Sequence, residues 1–121
     1  MEPWPILLVC LDPARVAEVR RAVSALPVPV ELTVACSAMS ALRRALAQPS
    51  RLVIVDWAID GAGGPALVRQ LARVRPTLPV LAFDILAIKG TASQVLAWQW
   101  DELAIVLNVW FLRALERKGA T

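Results

Sequence analysis

The stretch RLVIVDWAIDGAGG, Arg51–Gly64, decides how this chain is read. Four apolar residues run into an aspartate, and a glycine-rich loop follows. A parallel strand buried on both faces shows such an unbroken apolar run, because neither face meets water. The acid that closes the run, Asp56, is therefore expected at the carboxyl edge of a sheet, where the ligand chemistry of open α/β sheets sits.

Working outward, the same pattern recurs. PILLVCL (Pro5–Leu11) is a continuous apolar run. In DPARVAEVRRAVSALP, Asp12 can cap a helix, Pro13 suits its first turn, and Val16, Val19 and Val23 recur at helical spacing. PVELTVAC (Pro29–Cys36) reads as a strand. SAMSALRRALAQPS (Ser37–Ser50) reads as a helix capped by its serine, with Met39, Leu42 and Leu46 as the inward stripe. GGPALVRQLARVRP (Gly63–Pro76) reads as a helix with Leu67, Leu71 and Val74 inward, and LPVLAFD (Leu78–Asp84) as a further buried strand. Strands alternating with helices of about three turns specify βαβ units, a parallel sheet and helices on both faces. The expected fold is a three-layer, doubly wound α/β domain over residues 1–121, with the βα core in 1–90.

Composition narrows the function. The chain has 121 residues, 58% of them apolar, a net charge of +3 and no histidine. The commonest neutral-pH general base and metal ligand is thus missing. An apolar share above the usual ~45–50% suggests that some of it meets a partner. The arginines fall as scattered pairs and singles, such as Arg20-Arg21 and Arg43-Arg44, which favours solvated helix faces over a nucleic-acid surface. The longest apolar stretch, Leu103–Leu112, is broken by Asn108 and falls short of the ~20 residues that span a bilayer. Two cysteines, Cys10 and Cys36, make no disulfide framework; they end strands expected to be neighbours, so a redox pair and two inert buried thiols both stand as readings. No charged leader with a cleavage site opens the chain, so a reducing cytoplasm is the expected compartment.

Strand ends gather Asp12, Asp56 and Asp84 into an expected acidic pocket, although Asp12 reads equally well as a helix cap. A flavodoxin-like cofactor site needs a phosphate-cradling loop after the first strand, and CLDPAR has no glycine there.

With these residues in place, the chain resembles the receiver domains of bacterial response regulators, in ILLVCLDPARVAEVRRAV, LVIVDWAIDGAGGPALVRQL and RPTLPVLAFD, over roughly Pro5–Asp84. The resemblance implies a flavodoxin-like sheet ordered 2-1-3-4, with Asp56 at the phosphoacceptor position and Gly64 opening the third helix. It also implies a magnesium ion held by acids after the first strand. Cys10 and Leu11 stand where those acids are expected, which leaves Asp12 and Asp56 as weak metal ligands at best. At the two switch positions, Asp84 replaces a hydroxyl residue and Trp98 replaces a lysine. An ionised carboxylate offers no donor and repels a phosphoryl group. The resemblance therefore implies a pseudo-receiver, not an enzyme, that acts on protein partners in a two-component or phosphorelay pathway. The alternative is a divergent receiver that still takes a phosphoryl group on Asp56.

The last third departs from that pattern. Between Asp84 and VLAW only ILAIKGTASQ is available, which is short for a crossover helix between parallel strands of about a dozen residues or more. Either a short fifth strand with an irregular connection follows, or residues 91–118 form one long helix, which the absence of Gly and Pro from 93–118 favours. Along that helix Leu103, Leu107, Trp110 and Ala114 form one stripe and Ile105, Val109 and Leu112 an opposite one. Two stripes are read in two ways: a last helix with an apolar outer face, or burial on two sides in a homodimer built or swapped through this element.

Overall fold

A computed structural model of the protein describes residues 2–60, 63–83 and 95–119, leaving aside the side chains of 95–97 and 117–119. Five parallel strands form one sheet in the order β2-β1-β3-β4-β5. They are β1 (Trp4–Val9), β2 (Val30–Ala35), β3 (Leu52–Asp56), β4 (Val80–Phe83) and β5 (Val95–Trp98). The described α-helices are α1 (Pro13–Ser24), α2 (Ala38–Ala47), α3 (Gly64–Val74) and α4 (Leu103–Gly119). A short 3₁₀ turn, Trp100–Glu102, leads into α4.

Alternation along the strands sorts the core into two layers. Ile6, Leu8, Leu52, Ile54, Leu81 and Phe83 face α1 and α4, with Val19, Val23, Leu103, Leu107 and Phe111 packed on them. Leu7, Val9, Val53, Val55, Val80 and Ala82 face α2 and α3, against Ala41, Ala45, Leu67, Val68 and Leu71. Period-two side-chain geometry alone sends neighbouring residues to opposite layers. Since both layers are dry, β1, β3 and β4 must be apolar throughout, as the expected doubly wound sheet requires.

Three expectations are corrected. The single long helix over 91–118 gives way to the short fifth strand: Val95–Trp98 pairs with Val80–Phe83, and the α-helix begins only at Leu103. Of the Met39–Leu42–Leu46 stripe of α2, only Leu42 packs against the core layer. Met39 is 62% exposed and Leu46 53%, while Ala41 and Ala45 are buried. The inward face of α2 is thus built on its alanines, with Leu42 at its margin. In α3, Val74 is exposed and Val68 takes the inward place with Leu67 and Leu71.

Helix ends follow their sequence signals. Asp12 caps α1 by accepting from the Ala14 amide at 2.9 Å, with Pro13 in the first turn. Ser37 caps α2 by accepting from the Ser40 amide at 3.1 Å. At the start of α3 only glycine fits at position 64, because a Cβ there would lie 2.5 Å from the Trp57 carbonyl oxygen and 2.8 Å from the Trp57 Cα.

Aromatic rings tie α4 and the turn before it to the sheet. Trp4, at the start of β1, packs on Phe111 at 4.6 Å between ring centroids and meets Trp110 edge-on at 6.3 Å. Trp100 stacks on Phe83 at 4.7 Å, and the Arg15 guanidinium lies 5.4 Å from the Trp100 ring. Each such pair adds roughly 0.5–1.5 kcal/mol beyond its buried area.

Candidate functional site

The register of the sheet sets the site. Val9 pairs with Val55, and Asp56 with Phe83, so the chain leaving β1 passes beside the carboxylate that ends β3. Cys10 continues the β1 ladder by one residue, its amide donating to the Ala35 carbonyl at 3.0 Å. Its thiol, buried to 0% exposure, lies 3.7 Å from Asp56 Oδ2 and 3.8 Å from the Asp12 carbonyl oxygen. The other carboxylate oxygen, Asp56 Oδ1, accepts from the Ala58 amide at 3.1 Å. Asp56 is half-buried, with one oxygen held by the backbone and the other by the thiol.

Burial pushes the Cys10 thiol up to about 11, and the neighbouring charges of Asp56 and Asp12 add to the rise. The hydrogen bond to the Asp12 backbone opposes it. Thiolate is the nucleophilic and metal-binding form of cysteine, so this thiol is protonated and inert at neutral pH. It serves Asp56 as a weak donor. Cys36 is exposed and Cys10 buried, and both are free.

The expected acidic pocket is only partly visible. Asp12 is exposed at the same edge, and its Oδ1 is committed to the α1 cap. Asp84 lies outside the described residues. Magnesium wants hard oxygen ligands in octahedral array. A protonated thiol, a carboxylate engaged as a cap and a carboxylate already bonded twice fit that demand poorly. Among the described residues no group of three or more Cys, Asp or Glu stands together as a metal site.

Trp98 ends β5 opposite Phe83 and packs, partly buried, against the α1–α4 layer. Its Nε1 has no hydrogen-bond partner among the described residues. Of the interface residues expected on α4, Leu103 and Leu107 are spent in the chain's own core and Trp110 is half-buried against Trp4. Ile105, Val109 and Leu112 are left exposed, at 71%, 45% and 57%.

Sequence reasoning missed two residues here. One is Cys10 as the partner of Asp56; the strand order 2-1-3 makes β1 and β3 neighbours, so the residue just past β1 could have been paired with the last residue of β3. The other is Asp60. It adopts φ +55, the left-handed region where Asp is among the tolerated residues, and its Oδ2 accepts from the Ala38 amide at 2.9 Å. This bond ties the loop after Asp56 to the start of α2.

No protein-family model and no curated protein matches the sequence. Solved structures do match its fold. The signal receiver domain of an HD-domain protein from Pseudomonas fluorescens superposes with a TM-score of 0.76, at 20% identity, over 99% of this chain and 100% of that one. The receiver domain of a sensor histidine kinase from Pseudomonas aeruginosa, solved with magnesium in its active-site cleft, gives 0.70 at 19% identity over 90% and 98%. A CheY-like receiver domain from Methylobacillus flagellatus gives 0.70 at 19% over 88% and 97%. The chain has the receiver fold.

Proposed function

We propose that this chain is a receiver-like module of two-component or phosphorelay signalling that acts through protein contacts and does not undergo normal phosphorylation at Asp56. The observation that carries this reading is the Cys10 thiol 3.7 Å from Asp56 Oδ2. A phosphoryl group brings about −1.5 to −2 charges and three acceptor oxygens, which must be met by cations and strong donors. Cys10 offers a weak donor and Asp12 a further negative charge close to the thiol. A carboxylate so surrounded serves as a fixed structural acceptor, and the module is controlled by which partner occupies it.

The reading includes a homodimer through the outer stripe of α4. Scattered exposed apolar residues need no explanation, but Ile105, Val109 and Leu112 recur on one helix face at spacings of four and three. It also places the module in the cytoplasm, with no enzymatic step of its own. Among the described residues, no helix is long and apolar enough to cross a membrane.

Incubation with a small-molecule phosphodonor and magnesium, followed by intact-mass measurement, tests the central claim. No mass increase is expected in the wild type. A stoichiometric increase that disappears in Asp56→Asn would establish the alternative, a divergent but working receiver. Sedimentation of the wild type and of Ile105→Glu tests the dimer; a monodisperse wild-type monomer at micromolar concentration would end that part.

A further inference from the structure

At the sheet edge opposite Asp56, an open groove of about 420 Å³ runs between the start of β1, the turns that precede β3 and β4, and the second half of α4. Trp4, Ser50, Arg51, Arg75, Thr77 and Trp110 line it, and none of its described lining residues is acidic. The Arg51 guanidinium lies 4.3 Å from the centre of the Trp4 ring. Trp4 in turn is fixed between Phe111 and Trp110. A guanidinium held over an aromatic ring is positioned by it and still has N–H groups to offer a carboxylate. Among the described residues the one ion pair is Arg15–Glu18, on α1, so neither Arg51 nor Arg75 is neutralised by a described carboxylate.

We propose that this groove docks an acidic peptide segment of a partner protein, with Arg51 and Arg75 as the carboxylate-binding forks and Trp110 as an apolar wall. Three observations favour this occupant. Enclosed pockets bury ~70–90% of a small ligand, and this one is a partly open groove, which suits a peptide segment better than an enclosed small molecule. Tryptophan and arginine are the residue types that dominate protein interfaces, whereas acids are depleted there. The charge of the groove is positive, and so is the chain's net charge of +3, which favours an acidic partner over a second copy. The proposal names a docking site for the protein partner of the preceding section, and it does not depend on the state of Asp56.

Fluorescence anisotropy of a dye-labelled hexaglutamate peptide, titrated with the full 121-residue chain at low salt, tests it. Saturable binding is expected, weakened about tenfold in Arg75→Gln, for which no cation–π contact is seen among the described residues. The Arg20→Gln/Arg21→Gln variant on α1 should bind as the wild type does, which separates a docked peptide from general attraction to a basic protein. Urea unfolding of each variant shows that it is folded. The proposal is overturned by absence of saturable binding, by equal weakening in the α1 variant, or by inorganic phosphate competing at the peptide's own concentration, which would mark a site for isolated anions. None of these results depends on the phosphodonor experiment, so the two readings fail separately.

Discussion

Raising the pH should destabilise this protein through one buried thiol. Cys10 is fully buried, and its ionisation in the folded state is pushed from 9.0 to about 11. In the unfolded chain the thiol loses its proton first, so the unfolded state binds fewer protons between those values and stability falls as pH rises. The stabilisation is fully present below pH 9 and is lost through about pH 11. At 1.36 kcal/mol for each pKa unit, the loss between about pH 8 and pH 11 comes to about 2 kcal/mol. The composition makes the window unusually clean. The chain has no tyrosine and only two lysines, Lys89 and Lys118, so few other groups titrate there. Urea unfolding at stepped pH in a Cys36→Ser background isolates the buried thiol. Cys10→Ala should start less stable, since a small cavity opens, but its stability should change little across the same range. If parent and Cys10→Ala lose stability in parallel above pH 9, the thiol is not held as the structure places it.

Further outcomes follow from the packing. Gly64→Ala places a methyl group against the Trp57 backbone and should cost about 1–3 kcal/mol in urea unfolding, as overpacking does. Phe111→Ala removes the ring that seats α4 on Trp4 and should cost about 3–5 kcal/mol, enough to lower the melting temperature by well over ten degrees or unfold the chain. Asp60→Ala breaks the bond to the Ala38 amide and should cost about 1 kcal/mol; Asp60→Asn, which keeps an acceptor and tolerates positive φ, should recover most of it.

The parts of the fold that could be read from sequence are those where burial leaves no freedom. β1, β3 and β4 lie between two dry layers, so each had to be an apolar run, and an acid at the end of such a run had to reach the edge. The face of α2 is only partly legible, because hydrophobic size does not by itself mean inwardness. Met39 and Leu46 are larger than Ala41 and Ala45, but the sheet accepts the smaller pair. β5 was obscured because Val95–Trp98 has helix-compatible neighbours and its pairing with β4 is a long-range property. The Cys10–Asp56 contact depends on the relative register of β1 and β3, which no local pattern encodes. The Arg51–Arg75 groove is assembled from segments far apart in sequence and had no local signal at all.

The indole at Trp4 joins the opening residue of the first strand to a ring more than a hundred positions later, Phe111. During synthesis from the amino end, the layer roofed by α2 and α3 can close as soon as β4 has emerged. The other layer stays uncovered on one side until the ribosome has released residues 103–111. A nascent chain stalled before that point would present Leu8, Ile54, Leu81 and Phe83 to water, and a holdase chaperone would find its binding surface there and not on the finished side.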